Sequence, residues 1–171
     1  AGAKEDGRRP RDVDIRDEQT RKQVEIYQTY EEQCQREGVV DFAELMLRTY
    51  ELLRDNDPLR EHYQRRFRHV LVDEFQDTNR LQMDLLRNLV DAEMNVCVVG
   101  DDDQSIYGWR GATIDNLKRL PQDFPALKLI ALEQNYRSTG HILRAANHVI
   151  AANPKLFEKK LWSALGDGEP V

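Results

Sequence analysis

Cysteine is nearly absent. The two present, Cys34 and Cys97, lie far apart with no CxxC or Cys/His ligand spacing, which argues against a disulfide framework and a zinc site. A reducing compartment, the cytoplasm, fits that usage. Also missing is any apolar run near the roughly 20 residues needed to cross a bilayer, and no charged-then-apolar leader opens the chain. Membrane and secreted classes are therefore poor fits. Nor is there an excess of cations: 25 Lys+Arg against 31 Asp+Glu leave a net charge of −6. That excludes a binder that is basic throughout, though not a local basic groove. No internal repeat or low-complexity tract occurs. At 171 residues the chain holds one ordinary domain or parts of two.

What is present changes character along the chain. Residues 1–16 mix charges with Gly and Pro and read as a flexible end. From Asp17 the pattern is helical: Ile26, Tyr27, Tyr30 and Cys34 form a stripe that Gly38 breaks. Asp41 reads as an N-cap, with Glu44 three residues on and Phe42, Leu45, Met46, Thr49, Tyr50, Leu52 and Leu53 along the helix it opens. Asn56-Asp57-Pro58 ends that helix, and a short one follows over 58–66. Arg60, Arg65, Arg66 and Arg68 read as a solvated face.

At His69 short apolar runs begin. His69–Val72, Asn95–Val99 and Leu127–Leu132 are strand candidates. They alternate with helices predicted over 78–90, near 112–120 (stopped by Pro121), and from Ser138 or Thr139 onward with Ile142, Ala146, Val149 and Ile150. Strand and helix in alternation predict an α/β fold: a parallel sheet with crossover helices. Cys97, inside Val96–Val99, reads as a buried, inert thiol.

Ligands of such sheets collect beyond the carboxyl ends of the strands, and each candidate strand ends there in polar sequence. After the first come Asp73 and Glu74. A carboxylate pair after a buried strand suits a Mg²⁺–nucleotide site, one acid for the metal and one to take a proton from attacking water. Alone, the dipeptide also reads as a solvated turn with helix-start charges. After the second, Gly100–Gly111 packs three glycines, three acids, a glutamine and two aromatics into twelve residues. Such a loop lets backbone approach a ligand and leaves aromatic faces accessible. Trp109 beside Arg110 suits base stacking, with a packed interface tryptophan as the alternative. After the third, Arg137 precedes Ser138-Thr139, where it can reach an anion at a helix start or serve as a surface arginine.

Taken together, three segments resemble the superfamily 1 DNA helicases of the UvrD/Rep type. Val72–Asn79 (VDEFQDTN) is similar to their Walker B motif, Val99–Ala112 (VGDDDQSIYGWRGA) to their coupling motif, and Leu132–Thr139 (LEQNYRST) to their fourth motif. The likeness extends through Val40–Leu45 and Glu158–Trp162 and covers nearly all of residues 20–171. It implies that Asp73 holds Mg²⁺, Glu74 activates water and Gln104 senses the γ-phosphate. Tyr107 and Trp109, with neighbouring Arg110, would contact single-stranded DNA. Tyr136 would stack on adenine and Arg137 would reach the γ-phosphate. The implied cofactors are ATP and Mg²⁺. The implied partners are single-stranded DNA, single-strand/duplex junctions, and repair or replication proteins, with no membrane.

One element is wanting. A phosphate loop needs G-x-x-x-x-G-K-[ST], and none of the nine glycines is followed by lysine. The family's adenine-binding glutamine motif and late arginine motifs are missing too. The resemblance therefore implies an internal fragment. Its parts would be a flexible end (1–16), a partial helical insert domain (17–67), the second half of a first RecA-like motor domain (68–132) and the start of a second (133–171). Such a fragment is expected to hydrolyse no ATP alone, whereas the whole protein would be a 3′-to-5′ helicase of repair or replication restart. Alternative readings are a non-catalytic DNA- or partner-binding module, or the helicase part of a recombination helicase–nuclease.

Overall fold

The computed structural model describes residues 2–90, 93 and 95–170. Ala1 of the expected flexible end, Asp91, Ala92 and Met94 of the expected 68–132 segment, and Val171 lie outside the described residues. The helices are α1 (Gly2–Glu5), α2 (Glu18–Glu37), α3 (Phe42–Asp55), α4 (Asp57–Arg66), α5 (Arg80–Leu89), α6 (Asp115–Asp123) and α7 (Gly140–Ala151). The strands are β1 (Val70–Val72) and β2 (Val96–Val98).

Local chemistry sets most helix ends. Asp17 caps α2 by accepting from Thr20 N–H at 2.6 Å, and Gly38 closes it at φ +69°, a left-handed conformation that costs glycine no Cβ clash. Asp41 caps α3, accepting from Glu44 N–H at 2.6 Å. Asn56 caps α4, and Asn79 with Gln82 forms a reciprocal capping box at α5. The α6 helix runs two residues past Pro121, to Asp123. A proline in the last turn removes one donor without ending the helix, and Phe124 N–H still reaches Leu120 O at 2.8 Å.

β1 and β2 pair in parallel, Val70 opposite Val96, Leu71 opposite Cys97 and Val72 opposite Val98. Side chains alternate across the sheet. Val70, Val72, Val96 and Val98 turn toward a core of Phe75, Met83, Leu86, Leu117, Leu120 and Phe124. Leu71, Cys97 and Val99 fall on the opposite face and are exposed. Cys97 is therefore not the buried thiol that its apolar neighbours suggest: strand parity, not local hydrophobicity, decides its side. The third expected strand does not form. Leu127–Leu132 runs unpaired, with Leu129, Ile130 and Leu132 exposed, because no described residue offers it a ladder.

The helical region departs from its pattern as well. α2 buries no residue, and Ile26 and Tyr30 of the expected stripe are exposed. In α3 the buried positions are Glu44, Leu47 and Leu53, while Phe42 is 90% exposed. Charge holds this region together. Lys4, 5% exposed, pairs with Glu44 at 2.8 Å, Asp41 at 3.3 Å and Glu31 at 3.4 Å. Arg9 pairs with Glu51 at 2.6 Å and with Glu31 and Glu44 at 2.9 Å. Where the sequence suggests a flexible end, residues 2–12 carry two cations into carboxylates of α2 and α3. α3 also packs on α5, joining helices and sheet. No helix among the described residues is long and apolar enough to cross a membrane.

Candidate functional site

The chain leaves β1 through Asp73 and Glu74, both exposed, and then dives into the core at Phe75 and Gln76, at 0% and 1% exposure. That reversal needs an unusual backbone. Glu74 has φ +49°, the one non-glycine with positive φ among the described residues, a conformation costing about 1–3 kcal/mol. Phe75 N–H donates to Val99 O at 2.9 Å, so the 3₁₀ turn Phe75–Asp77 is tied to the exit of β2.

Gln76 is fully employed. Its Nε2 donates to Glu74 Oε2 at 2.7 Å, and its Oε1 accepts from Asp101 N–H at 3.0 Å. Glycine at 100 eases this approach: a Cβ there would stand 3.0 Å from Gln76 Oε1 and 3.4 Å from Gln76 N, close enough that Gln76 would have to give way slightly. Asp101 in turn accepts from Gln104 Nε2 at 2.6 Å and from Asp103 N–H at 3.1 Å, capping the 3₁₀ turn Asp102–Gln104. Glu74, Gln76, Asp101 and Gln104 thus form a continuous hydrogen-bonded chain from the end of β1 to the loop after β2. Buried Asn116 supports it from α6, donating to Thr78 O at 3.1 Å and Asn79 O at 3.2 Å. Asp77 Oδ1 is buried with no hydrogen-bond partner among the described residues.

Farther along the loop, Trp109 is 79% exposed, and its ring centroid lies 6.3 Å from that of Tyr107. The Arg110 guanidinium sits 5.4 Å from the Tyr107 centroid and 5.3 Å from that of Trp109, within cation–π range of both. An indole this open is not packed in an interface within the described residues. The cluster presents two π faces and a cation on one surface, the equipment for sequence-tolerant contact with unpaired bases.

Tyr136 and Arg137 follow the bridge between Gln134 and Trp162. Asn135 Oδ1 accepts from the backbone N–H of Arg137 at 2.9 Å and of Ser138 at 2.7 Å, leading the chain toward α7. Both side chains are exposed, and Tyr136 OH donates to Gln134 Oε1 at 3.0 Å. Among the described residues no side-chain hydrogen bond joins either of them to Glu74, Gln104 or the aromatic cluster. The structure therefore assembles two groups of expected site residues, Glu74 with Gln104 and Tyr107 with Trp109 and Arg110, and leaves Tyr136–Arg137 as a separate exposed pair.

Two acid groups have the donor chemistry of a metal site. Asp73 spends Oδ1 on Glu74 N–H at 2.9 Å, and its other oxygen accepts no bond among the described residues. One exposed, hard-oxygen donor beside a second carboxylate fits Mg²⁺, which takes one or two carboxylates and draws its other ligands from phosphate and water. Asp101, Asp102 and Asp103 also converge, with ligand atoms within 4.8 Å of one another. Their centre is taken by the ammonium of Lys159, paired with all three. Burial pushes the Asp101 and Asp102 carboxyls up, but the hydrogen bond and charge of Lys159, together with the Gln104 amide at Asp101 and the Leu156 and Phe157 amides at Asp102, outweigh it and hold both below the usual range.

Gln76, Asn116 and Lys159 were missed in the sequence. Gln76 lies inside VDEFQDTN, where nothing in its residue type marks it out beside the acids. Lys159 belongs to Glu158–Trp162, which resembles the family without suggesting a contact 57 residues back.

A parallel β unit with an acid pair, a loop hydrogen-bonded to it and an exposed aromatic cluster carries the segments that resemble a DNA helicase family, and comparison with known proteins shows that family. Residues 2–125 match the model of the UvrD/REP helicase N-terminal domain, and the chain belongs to that family. It is 50% identical over 169 residues to DNA helicase II of Haemophilus influenzae, covering 98% of this chain and 23% of that protein. To the ATP-dependent DNA helicase Rep of Escherichia coli it is 52% identical over 143 residues, 84% of this chain and 21% of the relative. To the ATP-dependent DNA helicase UvrD1 of Mycobacterium tuberculosis it is 46% identical over 162 residues, 91% and 21%. The chain spans about a fifth to a quarter of the length of these relatives.

Proposed function

We propose that this chain is the hydrolysis-and-coupling segment of an ATP-dependent helicase that moves 3′ to 5′ along single-stranded DNA in repair or replication restart. The observation that carries the reading is the hydrogen-bonded chain Glu74–Gln76–Asp101–Gln104, which joins the acid pair after β1 to the loop bearing Trp109. Residues 17–67 would belong to a helical insert domain, 68–132 to the second half of a first RecA-like motor domain, and 133–171 to the start of a second.

Each residue then takes a role in that reading. Asp73 would hold Mg²⁺, which supplies charge neutralisation at the phosphates. Glu74, aimed by its backbone and by Gln76 Nε2, takes a proton from the attacking water. Gln104 senses the γ-phosphate, and loss of that phosphate shifts the loop carrying Tyr107, Trp109 and Arg110 against single-stranded DNA. Tyr136 stacks on adenine, and Arg137 offsets charge developing at the γ-phosphate. The phosphate loop lies outside this sequence, so the chain alone turns over no ATP. The whole protein would act in the cytoplasm, at single-strand/duplex junctions.

The test is Glu74→Gln in the whole protein, read by ATP binding and by turnover with single-stranded DNA. The expected outcome is retained binding with turnover lowered by about 10²–10⁴-fold. Wild-type turnover in that variant would remove Glu74 from the base role and the reading with it.

A further inference from the structure

Asp101, Asp102 and Asp103 are consecutive and partly buried, with side-chain exposures of 32%, 6% and 17%. Three carboxylates so close repel one another in a medium that screens poorly. One cation answers all three. The Lys159 ammonium, 19% exposed, pairs with Asp101, with Asp102 at 2.5 Å and with Asp103 at 3.1 Å. The grip is reinforced from the same stretch of chain: Asp102 Oδ2 accepts from Leu156 N–H at 3.1 Å and Phe157 N–H at 3.4 Å. Leu156 and Phe157 themselves pack against the Phe75 core. Segment 156–159 is thus fastened to the loop after β2 by one ammonium and two amides, and to the neighbouring core by two apolar side chains.

The fastening lies one bond from the expected chemistry. Asp101 Oδ1 meets Lys159, its Oδ2 holds the Gln104 amide, and its N–H holds Gln76, which holds Glu74. We infer that Lys159 is a positioning residue: it sets Gln104 and Glu74 through Asp101 and transmits displacement of the segment after α7 to both. The inference rests on the proposed roles of Glu74 and Gln104. It adds a lever, since whatever moves the C-terminal segment must either carry the loop along or break the clasp.

The test uses Lys159→Ala and Lys159→Arg in the whole protein, with two independent readouts. Amide hydrogen exchange reports the clasp itself. In Lys159→Ala the amides of Asp103, Gln104, Leu156 and Phe157 are expected to exchange faster, and in Lys159→Arg to stay near wild type. Steady-state ATP hydrolysis with oligodeoxythymidylate reports positioning. The Ala variant is expected to lose about ten- to a hundredfold in DNA-stimulated kcat, with KM for ATP within about twofold and with rescue by Arg. Unchanged exchange in the Ala variant overturns the clasp. Unchanged stimulated kcat, or a loss that Arg does not rescue and that tracks a lowered Tm, overturns the positioning role. If the wild-type protein hydrolyses no ATP with DNA, the functional reading and the positioning role fall together, and exchange still decides the clasp.

Discussion

The two ends of this molecule are held by different forces. Around the β1–β2 sheet, Phe75, Met83, Leu86, Leu117, Leu120 and Phe124 form an ordinary apolar core under one face. In the first 66 residues, Leu47 and Leu53 are the only apolar side chains of α2, α3 and α4 that are buried, and cohesion comes from Lys4 and Arg9 among Asp41, Glu31, Glu44 and Glu51. Apolar burial is non-directional and does not depend on charge screening, whereas a buried ion network stabilises only while its partners are present and charged. The region expected to carry the chemistry thus rests on the more forgiving of the two foundations.

The contrast can be broken from either side. Phe75→Ala should have the largest effect, about 3–5 kcal/mol of stability, because it empties the centre of the apolar core. Denaturant melts should show this loss unchanged between low and high salt. Glu44→Ala should cost about 1–3 kcal/mol by taking the most buried carboxylate from both Lys4 and Arg9, which keep only Glu31, Asp41 and Glu51. Its loss should concentrate in the amide exchange of α2 and α3, with the sheet spared.

Acid should act on the ion network in the same direction. Burial pushes the Glu44 carboxyl up, but hydrogen bonds from Lys4, Arg48 and Arg9 outweigh it and hold it at about 2, below its ordinary 4.5. A depressed folded pKa contributes stability that is complete above about pH 4.5 and is lost as pH falls toward about 2. Helical exchange protection should therefore fade across that window before the Phe75 core opens. The Lys159 clasp, whose Asp101 and Asp102 are likewise depressed, should loosen with it. Uniform loss of protection across both regions would contradict the contrast.

Smaller effects sharpen it. Trp109→Ala should weaken single-stranded DNA binding by about 1–3 kcal/mol in a salt-matched titration while leaving Tm unchanged, since the ring is 79% exposed. A fall in Tm would return Trp109 to a packing role. Asn79→Ala should cost about 1 kcal/mol, the worth of one helix cap, seen as a modest shift in the melt.

Much of this was readable in the residues, because capping and strand–helix alternation are local. Asp17, Asp41 and Gly38 mark helix ends where they were expected, and β1 and β2 sit within their apolar runs. Misreadings occurred where position depends on a distant partner. Leu127–Leu132 has strand composition but no described neighbour to pair with. Cys97 follows the parity of a register that sequence does not display. Ile26 and Tyr30 keep helical spacing on a helix held by charge instead of burial. At the candidate site the acids and aromatics stood out by type, whereas Gln76 and Lys159 matter through contacts made 25 and 57 residues away.

The backbone at Glu74 has a consequence for how this protein can change. A side chain other than glycine is held at φ +49°, between an exposed Asp73 and a buried Phe75. Glycine there would release the backbone strain, but it would also take the carboxylate partner from buried Gln76 and remove the expected base. At this single position relief of the backbone and retention of the carboxylate pull in opposite directions, so the strained conformation and the acid can only be kept or lost together.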